Sequence, residues 1–208
     1  MISVDCTRPL KLYRYAKCRW NMRSLLDGEF RLVPASEYGE LKDDMARQDN
    51  ELVREKISSG KNARITHAVT GKRIPVFGDI TYRDEIGTDY YTLCLSSSWD
   101  SLLFDEFKGS DSCLVIHDPE EFCERVHFYA EKQLKDWTGI DASISYLTDS
   151  RLGPAFSKPW KYFAQKEWRF AWHPPVKIEK LPISFIHIGS IEKIAEIVIR
   201  PEANTTNG

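Results

Sequence analysis

Three sets of polar residues interrupt stretches that otherwise read as core strand. Arg14 sits inside LYRY, the serines Ser96, Ser97 and Ser98 end DYYTLCLSSS, and Gln165 and Glu167 fall within YFAQKEWRFAWH, residues 162–173. If that last segment is a strand, Gln165, Glu167 and Arg169 share one face, while Lys166, Trp168, Phe170 and Trp172 share the other. A positioned carboxylate can stabilise developing positive charge, a guanidinium can grip phosphate with two hydrogen bonds, and hydroxyls can orient a sugar. A structural reading stands beside the chemical one. Arg14 and Glu167 can pair across neighbouring strands, and strand-end serines can cap the helix that follows.

The elements that must position these groups follow from periodicity. LKLYRYAKC (10–18) reads as an early strand, Asn21 as the cap of a short helix with Met22, Leu25 and Leu26 on one side, and Gly28 as its stop. EFRLVP (29–34), DYYTLCLSSS (89–98), CLVIHD (113–118), ASISYL (142–147), ISFIHIG (183–189) and AEIVIRP (195–201) read as strands. A short helix is expected at 99–107, and a longer amphipathic one opens at Pro119, with Phe122, Val126, Tyr129, Ala130 and Gln133 along one side. Between about 35 and 88 the pattern weakens into a charged excursion, with a thin helical stripe, Leu41, Met45, Leu52 and Val53, around 40–58. Residues 1–201 therefore read as one α+β domain, and 202–208 as a disordered polar tail.

The chain has 208 residues, 29 Lys and Arg against 31 Asp and Glu, and a formal net charge of −2, so any polyanion must be met by a local patch. Five cysteines without a C-x-x-C pair fit a reducing compartment better than a disulfide framework or a zinc site. No apolar run reaches the length of a membrane span, so a soluble cytoplasmic protein is expected, with no membrane partner. His117, His127, His173 and His187 are scattered, and no metal site is expected. The absence of G-x-G-x-x-G and of a Walker loop argues against Rossmann-type dinucleotide binding and against ATP.

Taken in order, Arg14 in LYRY, Ser96–Ser98 in CLSSS, and Gln165 with Glu167 in QKE resemble the ADP-ribosyltransferase superfamily. Its toxin-like branch carries an Arg, a Ser-x-Ser motif and a Gln-x-Glu on three strands. The stretch LYRYAKCRWNMRSLLDGEFRLVPAS is also similar to the opening of the DNA-targeting ADP-ribosyltransferase toxins, which carry His where this chain has Arg14. The whole chain further resembles uncharacterised bacterial proteins found in phage-defence settings. What the first resemblance implies is a split, bent, mixed β-sheet with flanking helices, and NAD bound as a substrate in its cleft. Glu167 would be the catalytic carboxylate and Gln165 would face the acceptor. Arg14 would hold the pyrophosphate, Ser96, with Ser97 and Ser98, would orient the ribose or support Glu167, and Tyr13 or Tyr15 would stack near nicotinamide. The implied partners are NAD, a macromolecular acceptor (protein or nucleic acid) and, for a toxin, an antitoxin.

A nonenzymatic reading competes with this one. Trp20, Trp99, Trp160, Trp168 and Tyr162 beside Lys158 and Lys161 could form an aromatic and basic platform for single-stranded nucleic acid, with SKPWKY as its centre.

Overall fold

Strand β7 (Tyr91–Ser96) is the hub of the sheet, because one of its edges is shared by two neighbours. A computed structural model describes residues 7–40, 46, 48–146 and 150–200. Along one edge, β7 pairs throughout with β10 (Glu167–His173), which pairs in turn with β9 (Thr138–Ser143). The other edge is divided. β2 (Glu29–Pro34) takes Tyr91 and Thr92, and β1 (Leu12–Ala16) takes Ser96. Between those contacts Leu93, Cys94 and Leu95 are paired to β10 only, so the sheet splits there.

From the split the sheet continues on either side: β8 (Ser112–Ile116) and β12 (Ala195–Ile199) beyond β1, and β11 (Ser184–His187) beyond β2. Every described ladder is antiparallel, which corrects the expected mixed sheet. Parallel neighbours need long crossover connections, normally helices. The one long helix among the described residues, α4 (Pro119–Gln133), instead joins two strands that do not pair.

The two longer described helices cover one face, that of Leu12, Leu114, Trp168 and Phe170. α1 (Cys18–Leu26) starts before the expected cap at Asn21, with Lys17 at its N-cap and no capping side chain. Its Met22 and Leu25 are buried as the periodicity requires. Gly28 ends it at φ +91°, close enough to Gly189 that a Cβ would lie 2.0 Å from the Gly189 carbonyl oxygen. α4 opens on Pro119 with Asp118 accepting from the Glu121 N–H, and buries Phe122, Cys123, Val126 and Ala130 against Phe30, Trp168 and Phe170. Asp141 anchors the chain under this helix, accepting from His127 at 2.8 Å, the Trp168 indole at 3.0 Å and Arg8 at 3.2 Å. A smaller cluster seats the short helix α3 (Leu103–Glu106) against Tyr15, Cys113 and Val115.

The charged excursion departs most from expectation. It begins with a short helix, α2 (Ala35–Glu40), and the expected stripe residues Leu41 and Met45 lie outside the described residues. The region expected to be helical then contains a strand. β3 (Val53–Ser59) pairs over its whole length with β6 (Asp79–Glu85), and the loop between them carries the two-residue strands β4 (Ile65–Thr66) and β5 (Arg73–Ile74). Side chains on both faces of this ribbon face water, so no apolar alternation marks it in the sequence. The tail at 202–208 lies outside the described residues.

Candidate functional site

Antiparallel register brings three of the expected residues into one cross-strand row. Tyr13 lies opposite Ser96, and Ser96 lies opposite Glu167, so β1, β7 and β10 each contribute one side chain to the same face at the same level. By alternation Arg14 belongs to the other face with Leu12 and Ala16, and its Nη1 donates to the Cys94 carbonyl at 3.1 Å. That carbonyl sits in the split. A cavity of about 650 Å³ follows the split and is lined by Tyr13, Arg14, Cys94, Ser96, Gln165 and Glu167 among others. Its volume is in the range usual for small-molecule and cofactor sites.

Gln165 reaches the cavity by a different route from the expected strand. Trp160–Gln165 is a 3-10 helix started after Pro159, and Lys166 follows in the left-handed conformation at φ 43° before β10 begins at Glu167. Gln165 Nε2 donates to the Ala46 carbonyl at 2.6 Å. The serine run secures this junction: the backbone N–H and the hydroxyl of Ser97 both donate to the Lys166 carbonyl at 2.8 Å. Ser96 Oγ donates to the Ser98 carbonyl at 2.8 Å, so its hydroxyl closes a local turn while its side chain forms part of the wall. Ser97 and Ser98 do not line the cavity.

Glu167 is buried and held by two cations. Its Oε1 accepts from Arg169 Nε and its Oε2 from Lys158 Nζ, both at 2.6 Å, while its backbone N–H donates to the Tyr146 hydroxyl at 2.8 Å. Arg169, fully buried, forks onto Glu51 with bonds of 2.6 and 2.8 Å and donates to the Ala155 carbonyl at 2.6 Å. Glu51 also accepts from Arg54, which pairs with Asp49 at 2.8 Å. Three carboxylates and three cations thus form one buried, charge-balanced chain, in which each charge has a partner, as its desolvation demands.

The electrostatics follow from this arrangement. Burial pushes the Glu167 carboxyl up, but the Arg169 and Lys158 charges outweigh it and hold the group well below the usual carboxylate range. Burial lowers the Lys158 ammonium, and Glu167 with Glu51 more than reverses that, leaving it raised. Burial, reinforced by the Glu167 charge, pushes the Cys94 thiol up to about 12, so it is not a nucleophile at neutral pH. Among the described residues no group of three or more His, Cys, Asp or Glu side chains could hold a metal ion.

Lys158, Arg169 and Glu51 had no assigned role in the site from sequence, although Arg169 was placed on the same face as Glu167. Lys158 was assigned to an aromatic platform, and that reading is corrected. Its amine is buried on Glu167, and Trp168 and Tyr162 are buried; of the described platform residues, Trp160, stacked on Phe163 at 4.2 Å, Trp99 and Lys161 remain exposed. The Trp20 side chain lies outside the described residues.

No family model, curated protein or solved structure matches the chain. Its class is that of an α+β protein built mostly of antiparallel strands with few helices, none of them, among the described residues, long and apolar enough to cross a membrane.

Proposed function

We propose that this chain binds NAD in the cavity along the split and transfers ADP-ribose to a macromolecular acceptor, protein or nucleic acid. The observation that carries the reading is the convergence of Tyr13, Arg14, Ser96, Gln165 and Glu167 on one cavity from segments far apart in sequence. In the reaction the bond between the ribose and nicotinamide breaks, the electron pair leaves with nicotinamide, and an acceptor nucleophile bonds to the sugar carbon and gives up its proton. Glu167, kept ionised by its two cations, stabilises the oxocarbenium character of the sugar more in the transition state than in the ground state. Arg14 grips the pyrophosphate, Tyr13 stacks on nicotinamide, and Gln165 borders the acceptor.

One observation favours a second reading, a noncatalytic binding domain: both oxygens of Glu167 already accept from cations. Because Glu167→Gln unbalances a buried network, it lowers stability under either reading, so unfolding alone does not separate them. The test is calorimetric titration of NAD into wild type and Arg14→Ala, with mass spectrometry for released nicotinamide, and Glu167→Gln assayed well below its unfolding midpoint. Saturable binding lost in Arg14→Ala, with nicotinamide release lost in folded Glu167→Gln, is the expected result. No binding at millimolar NAD overturns the transferase reading.

A further inference from the structure

The ribbon β3–β6 carries a charge pattern unlike the rest of the chain. From residue 56 to residue 78 there are five basic residues, Lys56, Lys61, Arg64, Lys72 and Arg73, and no Asp or Glu, in a chain whose net charge is −2. Lys61, Arg64, Lys72 and Arg73 are exposed, and none forms an ion pair with another described residue. Asp79, opposite Ser59, stands at the distal end of the ribbon, and its other acidic side chains, Glu55, Asp84 and Glu85, lie toward the base, where Arg83 lies 3.6 Å from Glu55. With four exposed cations against the single carboxylate of Asp79, the distal half carries a net positive charge.

Large apolar side chains stand among these cations: Phe77 is 92% exposed, Ile57 72% and Tyr82 61%. In the β3–β6 register Ile57 faces Thr81 and Lys56 faces Tyr82, so Ile57 and Tyr82 project from opposite faces. A lipid surface rewards apolar groups gathered on one side. A groove instead contacts a ribbon on both faces, and the major groove of duplex DNA is wide enough for a two-stranded ribbon.

We propose that the β3–β6 arm is a docking element for duplex DNA, entering the major groove with Lys61, Arg64, Lys72 and Arg73 on the phosphates. The charge distribution and the two-faced exposure carry this inference, which does not depend on what the cavity binds. At its base the arm joins the buried charge network through Arg54, Asp49 and Glu51, so the docking element and the cavity belong to one connected structure.

The test is fluorescence anisotropy with a labelled duplex of about 20 base pairs, the matching single strand, and phosphatidylserine vesicles, across a salt series. Four phosphate contacts predict a slope of log affinity against log salt of roughly −3 to −4. Replacing Lys61, Arg64, Lys72 and Arg73 by Gln should weaken duplex binding at least tenfold and flatten that slope, with an unchanged unfolding midpoint because these groups are exposed. Glu167→Gln, assayed below its unfolding midpoint, should bind the duplex as wild type does, whether or not NAD is a substrate. Failure of wild type to bind the duplex at low salt, equal binding by the charge variant, or tighter binding of the single strand or the vesicles overturns the proposal.

Discussion

Lys158 donates to Glu167 across 2.6 Å with both side chains almost wholly out of water. Removing Lys158 leaves Glu167 to Arg169 alone, with one of its buried oxygens stripped of its cation and the network short of one positive charge. Lys158→Met should lower the unfolding free energy by about 3–5 kcal/mol, read from urea denaturation. Combining it with Glu167→Gln should cost less than the sum of the two single changes, because the double variant removes both charges. Simple additivity would mean that the two groups do not act as a pair in solution.

The same pair sets the pH dependence. The folded Glu167 carboxyl lies below its unfolded value, so between the two values the unfolded chain holds the extra proton and stability rises with pH. Its contribution is present above about pH 4 and is lost as pH falls through the folded value. The Lys158 amine is shifted upward, so its contribution is complete below about pH 10 and is lost as pH rises through the folded value. Urea midpoints measured across pH should fall at both extremes in wild type, less steeply on the acid side in Glu167→Gln and on the alkaline side in Lys158→Met.

Gly28 and Gly39 offer a matched contrast. At Gly28 a side chain would meet both a left-handed backbone and the Gly189 carbonyl, whereas at Gly39, inside α2, an added Cβ meets nothing within 4 Å. Gly28→Ala should destabilise by more than about 2 kcal/mol. Gly39→Ala should be neutral or stabilise by up to about 1 kcal/mol, since alanine is the better helix former. Thermal unfolding of the two variants checks both.

Much of this architecture was legible because burial imprints periodicity. β2 falls on the expected residues, and α4 opens on the proline that announced it, since both present an apolar face to the core. The arm was not legible because a ribbon wet on both faces needs no alternation. In the site, Arg14, Ser96, Gln165 and Glu167 stood out as polar residues in or beside apolar segments. Glu51 did not, because in QDNELVRE nothing separates a carboxylate that will be buried on Arg169 from one, such as Glu55, that stays in water. Lys158, beside Pro159 and Trp160, read as a solvated loop lysine. Only the fold of residues 153–167 turns it inward.

The divided edge of β7 also bears on how the molecule is made. β1 is synthesised first, its partner β7 some eighty residues later, and β10, which supplies Glu167, about seventy after that. Contacts so distant along the chain form slowly and only once both partners exist. A ribosome that has released β7 but not β10 has therefore delivered a cleft without the strand that carries Glu167. Whatever the finished cavity does, that activity must wait until β10 and its Glu167 have been made.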